Sequence, residues 1–280
     1  MKTQAQKAEA FVALHARPKA FIIPNPWDAG TARLLAALGF EALATTSAGY
    51  AFSSGVPDNG VGRDRMLAHV AEIVAATDLP VSADLENGFA DEPEAVAETI
   101  RLAASAGLAG GSIEDSVNRP GESVYDLGLA RERIRAAVEA KRALPNPFVL
   151  TARAENFLVG RPHLDDTIRR LQAYQEAGAD VLYAPGIRTR EQIAAVVSSV
   201  DRPVNFLMGT QPERFTLAEL SALGVRRVSV GSALSLAALG AFLRAAREMA
   251  TTGTFTYTQD CAGFAEITKL LSQPRENDDV

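Results

Sequence analysis

The sequence predicts an α/β fold, a parallel (β/α)8 barrel of the TIM type, and two observations favour it. Short apolar segments rich in β-branched residues alternate with stretches of helical periodicity along most of the chain. Several helical stretches end in a Leu-Gly or Ala-Gly pair, where glycine can take the left-handed conformation that ends a helix. A doubly wound sheet is the alternative, but Asn25-Pro26-Trp27-Asp28 follows the first strand instead of a Gly-x-Gly-x-x-Gly turn.

The strand-like segments number eight, which is the count that this barrel requires. They are Phe21–Pro24, Ala42–Thr46, Pro80–Ala83, Gly111–Ile113, Phe148–Thr151, Asp180–Tyr183, Pro203–Leu207 and Arg227–Val230. The helical stretches between them include Glu94–Ala106, Asp126–Arg142, Leu164–Ala177, Arg190–Val200 and Leu217–Leu223. Because each strand is followed by a helix or a long loop, we expect the strands to run parallel.

Three regions fall outside this alternation. Thr3–Ala16 predicts an extra helix, and Gly49–Asp64 predicts a long loop that could act as a lid. After the eighth strand, Ser232–Met249 and Asp260–Leu271 predict two helices, one of which is expected to pack outside the barrel. We therefore expect one domain over residues 1–280, with the barrel at about 20–235 and a C-terminal helical extension at about 236–271.

The composition excludes several classes of protein. The 280 residues are 47% hydrophobic and 22% charged, as in a folded globular protein. A net charge of −6 argues against nucleic-acid binding, and a single cysteine excludes a disulfide framework and a thiolate zinc cluster. No apolar run approaches the length of a membrane span, and the N-terminus is too polar for a signal peptide. We expect a cytoplasmic protein with no nucleic-acid or membrane partner.

Acidic residues gather at the predicted carboxyl ends of neighbouring strands. Asp84 and Glu86 end the third strand, two residues apart, so an extended chain would point both to the same side. Glu114 ends the fourth strand, and Asp58 lies in the loop after the second. Such a cluster needs a cation or shared protons. Hard oxygen ligands without histidine or cysteine favour Mg²⁺, with Mn²⁺ as the alternative, unless some of these acids only cap helices.

Other polar residues at the strand ends suit an anionic substrate. Arg153 could clamp a carboxylate, or it could instead form a salt bridge to Glu155 or another acid. Asn205 offers a neutral amide, and the small residues Ser47–Gly49 offer backbone N–H groups. The Gly209-Thr210 and Gly231-Ser232 turns resemble a barrel phosphate site, although ordinary turn chemistry explains them about as well. No lysine lies at a predicted strand end, which argues against a Schiff-base aldolase.

Four motifs together resemble the isocitrate lyase/phosphoenolpyruvate mutase family. They are Pro24–Arg33, Thr45–Gly49, Ala83–Gly88 and Ile113–Asp115, and the resemblance extends over about residues 20–235. It implies a Mg²⁺-dependent barrel that cleaves or rearranges C–C or P–C bonds next to the acid group of 2-oxo or 2-hydroxy carboxylates. It also implies a homodimer or homotetramer in which neighbouring subunits exchange the eighth helix.

The resemblance further implies a role for each matching position. Asp84 resembles the direct metal ligand, and Asp58, Glu86 and Glu114 would hold the ion largely through water. The implied substrate-binding residues are Trp27, Asp28, Ser47, Ala48, Gly49, Arg153 and Asn205. The candidate catalytic residues are Arg153, Glu114 and Tyr50, of which Tyr50 could close over a bound acid. The proton donor stays open between Tyr50, Glu114 and a metal-bound water.

Two departures from the family pattern mark this chain as divergent. The isocitrate and methylisocitrate lyases carry a Lys-Lys-Cys-Gly-His segment after the fourth strand, whose cysteine is the catalytic acid. Residues 114–121 contain neither cysteine nor histidine here, and Ala184-Pro185-Gly186 stands where those lyases have a glutamate after the sixth strand. Efficient cleavage of isocitrate itself is therefore not expected.

We accordingly expect a Mg²⁺-dependent lyase that cleaves a C–C bond in a small 2-hydroxy or 2-oxo di- or tricarboxylate. Decarboxylation or hydrolysis of oxaloacetate is the first alternative, because it needs no cysteine acid. Phosphonopyruvate-type P–C chemistry is the second. A non-catalytic barrel that binds carboxylates is an alternative of another class.

Overall fold

The computed structural model describes residues 2–119, 121, 123–210 and 212–273, and eight parallel strands form its centre. The strands are β1 Phe21–Ile23, β2 Leu43–Ala44, β3 Val81–Asp84, β4 Gly110–Glu114, β5 Val149–Arg153, β6 Val181–Tyr183, β7 Val204–Leu207 and β8 Arg227–Ser229. Their hydrogen-bonded order is β1-β8-β7-β6-β5-β4-β3-β2, so the last strand pairs with the first. The predicted (β/α)8 barrel is confirmed.

Helices surround this sheet. They are α1 Gln4–Ala16, α2 Ala29–Ala37, α3 Ser47–Ser53, α4 Arg63–Ala76, α5 Pro93–Ser105, α6 Leu127–Arg142, α7 Leu164–Ala177, α8 Arg190–Ser198, α9 Leu217–Ala222, α10 Ala233–Thr252 and α11 Phe264–Leu271. The five stretches predicted as helices between the strands correspond to α5 through α9, with small shifts at their ends. Gly178 ends α7 with φ 104°, a conformation that a side chain would strain.

The prediction of one continuous loop over Gly49–Asp64 is wrong. Its first part belongs to α3, and α4 already begins at Arg63. Thr46 is the reason, because its Oγ1 accepts the N–H of Gly49 at 3.2 Å and so caps a helix directly after β2. The loop that remains between the two helices is correspondingly shorter.

Asn25 joins β1 and β2, the two ends of the sheet order. Its Nδ2 donates to the carbonyl of Thr45 at 3.0 Å, and its Oδ1 accepts the N–H groups of Val230 and Gly231, each at 2.9 Å. These bonds tie the ends of the first, second and eighth strands together. They also occupy the N–H groups of Val230 and Gly231 at the turn that resembles a phosphate site.

Helix α1, the predicted extra helix, seals the amino-terminal end of the barrel. Phe11 is fully buried there and meets the edge of His15, whose ring in turn contacts Phe21 edge-on. A Cβ at Gly110 would lie 2.9 Å from Phe11 Cε1, so glycine allows α1 to approach the strands. Burial, followed by the charge of Arg227, lowers the pKa of His15 to about 3, which leaves the imidazole neutral.

The C-terminal helices differ sharply in how they pack. Helix α11 lies against α2, and Arg33 of α2 donates to the carbonyl of Leu271. Helix α10 buries Ser235 and little else, and it exposes a series of large apolar side chains. These are Leu234, Leu236, Phe242, Leu243 and Met249. Within the part of the chain that the structure describes, no helix has the length and apolarity needed to cross a membrane.

Candidate active site

A cavity of about 380 Å³ opens at the carboxyl ends of the strands, where barrels of this type carry their chemistry. Its lining contains seven of the residues that the sequence pointed to: Ser47, Ala48, Asp58, Asp84, Glu114, Arg153 and Asn205. Glu86 lines a neighbouring cavity of about 790 Å³, which shares Asn59 and Asn118 with the first. The predicted carboxylates therefore converge on one region of the barrel mouth.

Arg153, the last residue of β5, is the centre of this region. Its Nη1 lies 2.9 Å from Asp84 Oδ1, its Nη2 3.1 Å from Glu114 Oε2, and its Nε 2.8 Å from Glu155 Oε1. The guanidinium also lies over the ring of Tyr183, 5.2 Å from the centroid. The salt bridge that the sequence left as an alternative is thus present, and it involves three acids at once.

Asp115 fixes the segment that follows Arg153. Its Oδ1 accepts the N–H of Glu155 at 2.8 Å, and its Oδ2 accepts Arg170 Nη1 at 3.0 Å and the hydroxyl of Tyr174 at 2.5 Å. All four side chains are buried. This network holds Glu155 where it can meet Arg153, so Asp115 acts on the site through its neighbours.

Arg133 of α6 holds the backbone in place beneath the third and fourth strands. Its Nη1 donates to the carbonyl of Glu114 at 3.2 Å, its Nη2 to that of Ala90 at 2.7 Å, and its Nε to that of Asp91 at 3.0 Å. The guanidinium lies 4.1 Å from the ring centroid of Tyr125. A fully buried arginine therefore anchors the backbone that carries the acids.

Glu114 is buried, and each of its carboxylate oxygens has a partner. Arg153 binds Oε2, and Asn118 Nδ2 donates to Oε1 at 3.1 Å. Asn118 has a positive φ of 56° and accepts the Ser116 hydroxyl at 2.6 Å, which orients its amide. Burial raises the pKa of Glu114 well above the ordinary value, and Arg153 opposes that shift.

The two-residue spacing suggested that Glu86 lies on the same strand as Asp84, but it does not. Strand β3 ends at Asp84, and Glu86 adopts a left-handed φ of 50° beyond it. Its carboxylate is buried, and Oε1 has no hydrogen-bond partner. Burial, then the charges of Asp84 and Asp58, raise its pKa to about 8. The pKa of Asp58 is raised as well, by partial removal from water and by Asp84.

Replacing Glu86 by glutamine should stabilise the protein in EDTA, by an amount that grows with pH. The folded chain keeps a proton on Glu86 up to about pH 8, whereas the unfolded chain releases it near 4.5. As the pH rises through this window, the wild type loses up to roughly 1.4 kcal/mol of unfolding free energy per pH unit. Glu86→Gln has no such loss.

Urea unfolding at about pH 5 and about pH 8.5 measures this difference. Glu94→Gln, an exposed change on α5, is the matched control and should follow the wild type at both values. A Glu86→Gln protein no more stable than the wild type at the higher pH would contradict the prediction.

These carboxylates fit a divalent cation that keeps much of its water. Glu86 Oε1 is a buried acceptor without a donor, and Asp84 raises the pKa values of both Glu86 and Asp58. In the described ranges, however, no three acidic, histidine or cysteine side chains lie close enough to enclose an ion by themselves. Mg²⁺ is commonly bound through one or two carboxylates and several waters, which suits this arrangement.

The segment Ser47–Gly49 forms the first turn of α3 rather than a nest in a loop. Ser47 Oγ donates to Asp84 Oδ2 at 3.1 Å. The N–H of Gly49 already donates to Thr46, whereas those of Ser47 and Ala48 have no partner inside the helix because they begin it. A Cβ at Gly49 would lie 2.6 Å from Thr46 Cγ2, which explains the glycine.

Three other predicted site residues lie outside the cavity lining. The ring of Tyr50 stacks on His69 with centroids 3.6 Å apart and an angle of 2° between the planes. Asp28 caps α2, since its Oδ1 accepts the N–H of Thr31 at 2.6 Å. Trp27 packs against the start of α3. Each of these side chains is thus in contact with a neighbouring element, and Tyr50 does not contribute to the cavity lining.

Asn205 lies in the cavity wall, but its amide is already engaged on both sides. Its Oδ1 accepts Arg227 Nε at 2.9 Å, and its Nδ2 donates to Ser229 Oγ at 3.0 Å. The sequence alone does not point to Arg227, because this residue begins a strand, whereas functional residues of such barrels are expected at the strand ends. For Glu155, the sequence indicated only a salt bridge to Arg153. The two-residue spacing could also have placed both side chains on the same side of an extended chain.

Known proteins are similar to this chain over most of its length. A protein-family model described as phosphoenolpyruvate phosphomutase matches residues 11–250. A Mycobacterium tuberculosis protein of uncharacterized function is 35% identical, over 85% of this chain and 88% of its own length. The 2-methylisocitrate lyase of Escherichia coli is 32% identical over 70% of this chain and 68% of its own. The 2,3-dimethylmalate lyase of Eubacterium barkeri is 31% identical over 80% and 78%.

Solved structures are also similar to this chain over nearly its whole length. A Burkholderia cenocepacia J2315 protein named only as a lyase/mutase superposes with a TM-score of 0.95 at 64% identity, covering 97% of this chain and 98% of that one. Oxaloacetate acetylhydrolase in complex with oxalate superposes with a TM-score of 0.85 at 26% identity, covering 97% and 95%.

Proposed function

Since this chain belongs to the phosphoenolpyruvate mutase family, within the superfamily that also contains the isocitrate lyases, we propose that it is a Mg²⁺-dependent lyase. Its reaction would cleave a C–C bond in a small 2-hydroxy or 2-oxo di- or tricarboxylate. The observation that carries the proposal is the contact of Arg153 with Asp84 and Glu114 at the barrel mouth. Lyases that act on such acids, named for 2-methylisocitrate and 2,3-dimethylmalate, are among its relatives.

Asp84 would hold the ion directly, and Asp58, Glu86 and Glu114 would hold it largely through water. When bound, the ion supplies electrostatic stabilisation of negative charge on substrate oxygens. Arg153 provides a second, fixed positive charge on the same side of the cavity. Ser47 holds Asp84 in place through its hydroxyl. Negative charge that develops on the departing fragment would thus meet groups oriented in advance.

Glu114 is the stronger candidate for proton transfer. It lines the cavity, whereas Tyr50 stacks on His69 outside it. The raised pKa of Glu114 allows its carboxyl group to hold a proton nearer to neutral pH than an exposed glutamate can. Asn118 and Arg153 keep its two oxygens at fixed positions, so a proton would leave or arrive at a defined place.

Oxaloacetate chemistry is the second candidate, and two observations favour it. The loop after β4 carries Asn118 and no cysteine, so the acid of the methylisocitrate lyases is missing from it. Oxaloacetate acetylhydrolase is similar in structure over nearly the whole chain. Hydrolysis or decarboxylation of a 2-oxo diacid would need Arg153 and the acids but no cysteine.

A turnover assay in Mg²⁺ or Mn²⁺ tests these candidates. The panel is isocitrate, 2-methylisocitrate, 2,3-dimethylmalate, oxaloacetate and phosphonopyruvate, followed by the formation or loss of 2-oxo acid. Turnover of a hydroxy acid supports the lyase, and turnover of oxaloacetate alone supports the second candidate. Binding without turnover across the panel would instead favour a carboxylate-binding barrel.

We also propose that the protein forms a homodimer or homotetramer in which α10 packs on a neighbouring copy. The exposed apolar side chains of this helix support it, since such a series is costly in water. Phe242→Asp should shift the mass in solution towards the 29.7 kDa protomer, measured by sedimentation velocity. Thr251→Asp, at the exposed end of α10, is the control. An unchanged assembly in Phe242→Asp would contradict this packing.

A further inference from the structure

Arg227 is a buried cation at the inner end of the active-site cavity. It is the first residue of β8, paired with Asn205 on one side and Phe21 on the other, and only 4% of its surface is exposed. Its Nε donates to Asn205 Oδ1 at 2.9 Å, and its Nη1 is buried without a hydrogen-bond partner. The side chain contributes to the same cavity as Arg153 and Glu114.

No acid of the described residues forms a salt bridge with Arg227, in contrast to Arg153 and Arg170. Arg153 meets three carboxylates, and Arg170 meets Asp115. Two titratable groups act on Arg227 instead: the hydroxyl of Tyr183 raises its pKa, and Arg153, which has the same sign of charge, lowers it. His15 below it is neutral. Burial and this repulsion lower the pKa of Arg227 to about 10, so it remains charged at neutral pH.

A buried charge without a counter-charge is strongly unfavourable, and proteins keep one where it has a partner to bind. An anion that enters through the cavity would supply such a partner here. The surrounding groups are polar and already oriented, because Asn205 Nδ2 donates to Ser229 Oγ and Ser229 also interacts with Tyr183. Asn205 therefore positions the guanidinium, and its own amide oxygen is not available to substrate.

We propose that Arg227 binds the second carboxylate of the substrate. One carboxylate would occupy the mouth, beside Arg153 and the metal-binding acids, and the other would pair with Arg227 at the inner end. The protein would accordingly select diacids over monoacids of the same length. This inference rests on the proposed function for the identity of the first position, but the unpaired arginine is a separate observation.

Arg227→Met tests it, because methionine has a similar length and no charge. Thermal unfolding and titration calorimetry, in Mg²⁺, would use the dicarboxylates from oxalate to glutarate and the monocarboxylates of matching length. We expect the Kd of the best dicarboxylate to rise at least about tenfold, because one charged hydrogen bond is lost. The Kd values of the monocarboxylates should stay unchanged. Without ligand, the variant should melt at the same temperature as the wild type or higher.

The neighbouring change Arg226→Met is the matched control, since that side chain is only partly buried and donates to the carbonyl of Gly224. It should leave every Kd within twofold. Arg227→Lys keeps the charge and should give intermediate dicarboxylate affinity. This second variant tests the proposal even if the methionine variant does not fold. An unchanged dicarboxylate Kd in a folded variant overturns the proposal, and so does an equal loss of affinity for chloride, which would indicate a general anion site.

Turnover separates this inference from the proposed function. If a substrate of the panel is turned over and Arg227→Met keeps kcat/KM within twofold of the wild type, the proposed carboxylate subsite is wrong, whereas the proposed lyase function is supported. If nothing is turned over but dicarboxylate binding still depends on Arg227, the subsite stands and the lyase is wrong. With both correct, the variant raises KM at least about tenfold and changes kcat less, as expected for binding lost equally in ground and transition state.

Discussion

Replacing Asp84 by asparagine should remove Mg²⁺ binding and turnover together. The change keeps the size of the side chain but withdraws the charge that Arg153 and Ser47 hold in place. A metal ion contributes several kcal/mol to stabilising charge in a transition state, and each 1.36 kcal/mol corresponds to a factor of ten in rate. We therefore expect kcat to fall by about a thousandfold or more, with the fold intact.

Calorimetric titration with Mg²⁺ and a turnover assay on the same preparation measure the two effects. Asp64→Asn is the matched control, because Asp64 is an acid of the neighbouring cavity whose side chain is almost entirely exposed. It should bind Mg²⁺ and turn over substrate as the wild type does. An Asp84→Asn protein that retains both properties would refute the metal site and with it the proposed reaction.

The barrel could be predicted because its elements obey local rules. Helix α7 has the bounds that the sequence indicated, since His163 caps its first turn and Gly178 ends it. Helix α3 was missed for the opposite reason. Its first residues, Ser-Ala-Gly, have the composition of a turn, and the cap on Thr46 becomes visible only once the end of β2 is known. Local propensity is a weak guide when the end of the preceding strand decides which residue caps the helix.

The site could be predicted only where strand geometry applies. Asp84, Glu114 and Arg153 are each the last residue of a strand, so the barrel itself brings them together. Glu86 lies beyond its strand in a left-handed conformation, which the two-residue spacing cannot reveal. Arg227 reaches the cavity from the start of β8, a position that gives no local signal. Whether a residue at the start of a strand reaches the cavity depends on how far the cavity extends into the barrel.

The loop after β4 shows how this chain differs from the methylisocitrate lyases. Asn118 fills the place near Glu114 with a neutral amide and binds its carboxylate. An amide cannot donate a proton as a cysteine can, but it can hold a glutamate in one orientation. In the proposed reaction, proton transfer and charge stabilisation would therefore depend on Glu114 and Arg153. Reactions that do not require a separate acid on this loop are the ones that the arrangement favours.

Replacing Arg153 by methionine should both inactivate and destabilise the protein. Asp84, Glu114 and Glu155 would lose the positive charge that they share, and Glu114 and Glu155 are buried. Removing one partner of a buried ion pair costs roughly 3–5 kcal/mol of unfolding free energy. Loss of a preorganised charge at the reacting group lowers kcat by about a hundredfold or more.

The stability loss should shrink as the pH falls, which distinguishes a charge effect from a packing effect. Burial already raises the pKa values of Glu114 and Glu155, and removal of Arg153 raises them further, so both take up protons on mild acidification. Their repulsion is then relieved in the folded state. Urea unfolding at about pH 8 and about pH 5 measures this, with the exposed Arg188→Met as control. A deficit of equal size at both pH values would mean that Arg153 stabilises the barrel through its packing rather than its charge.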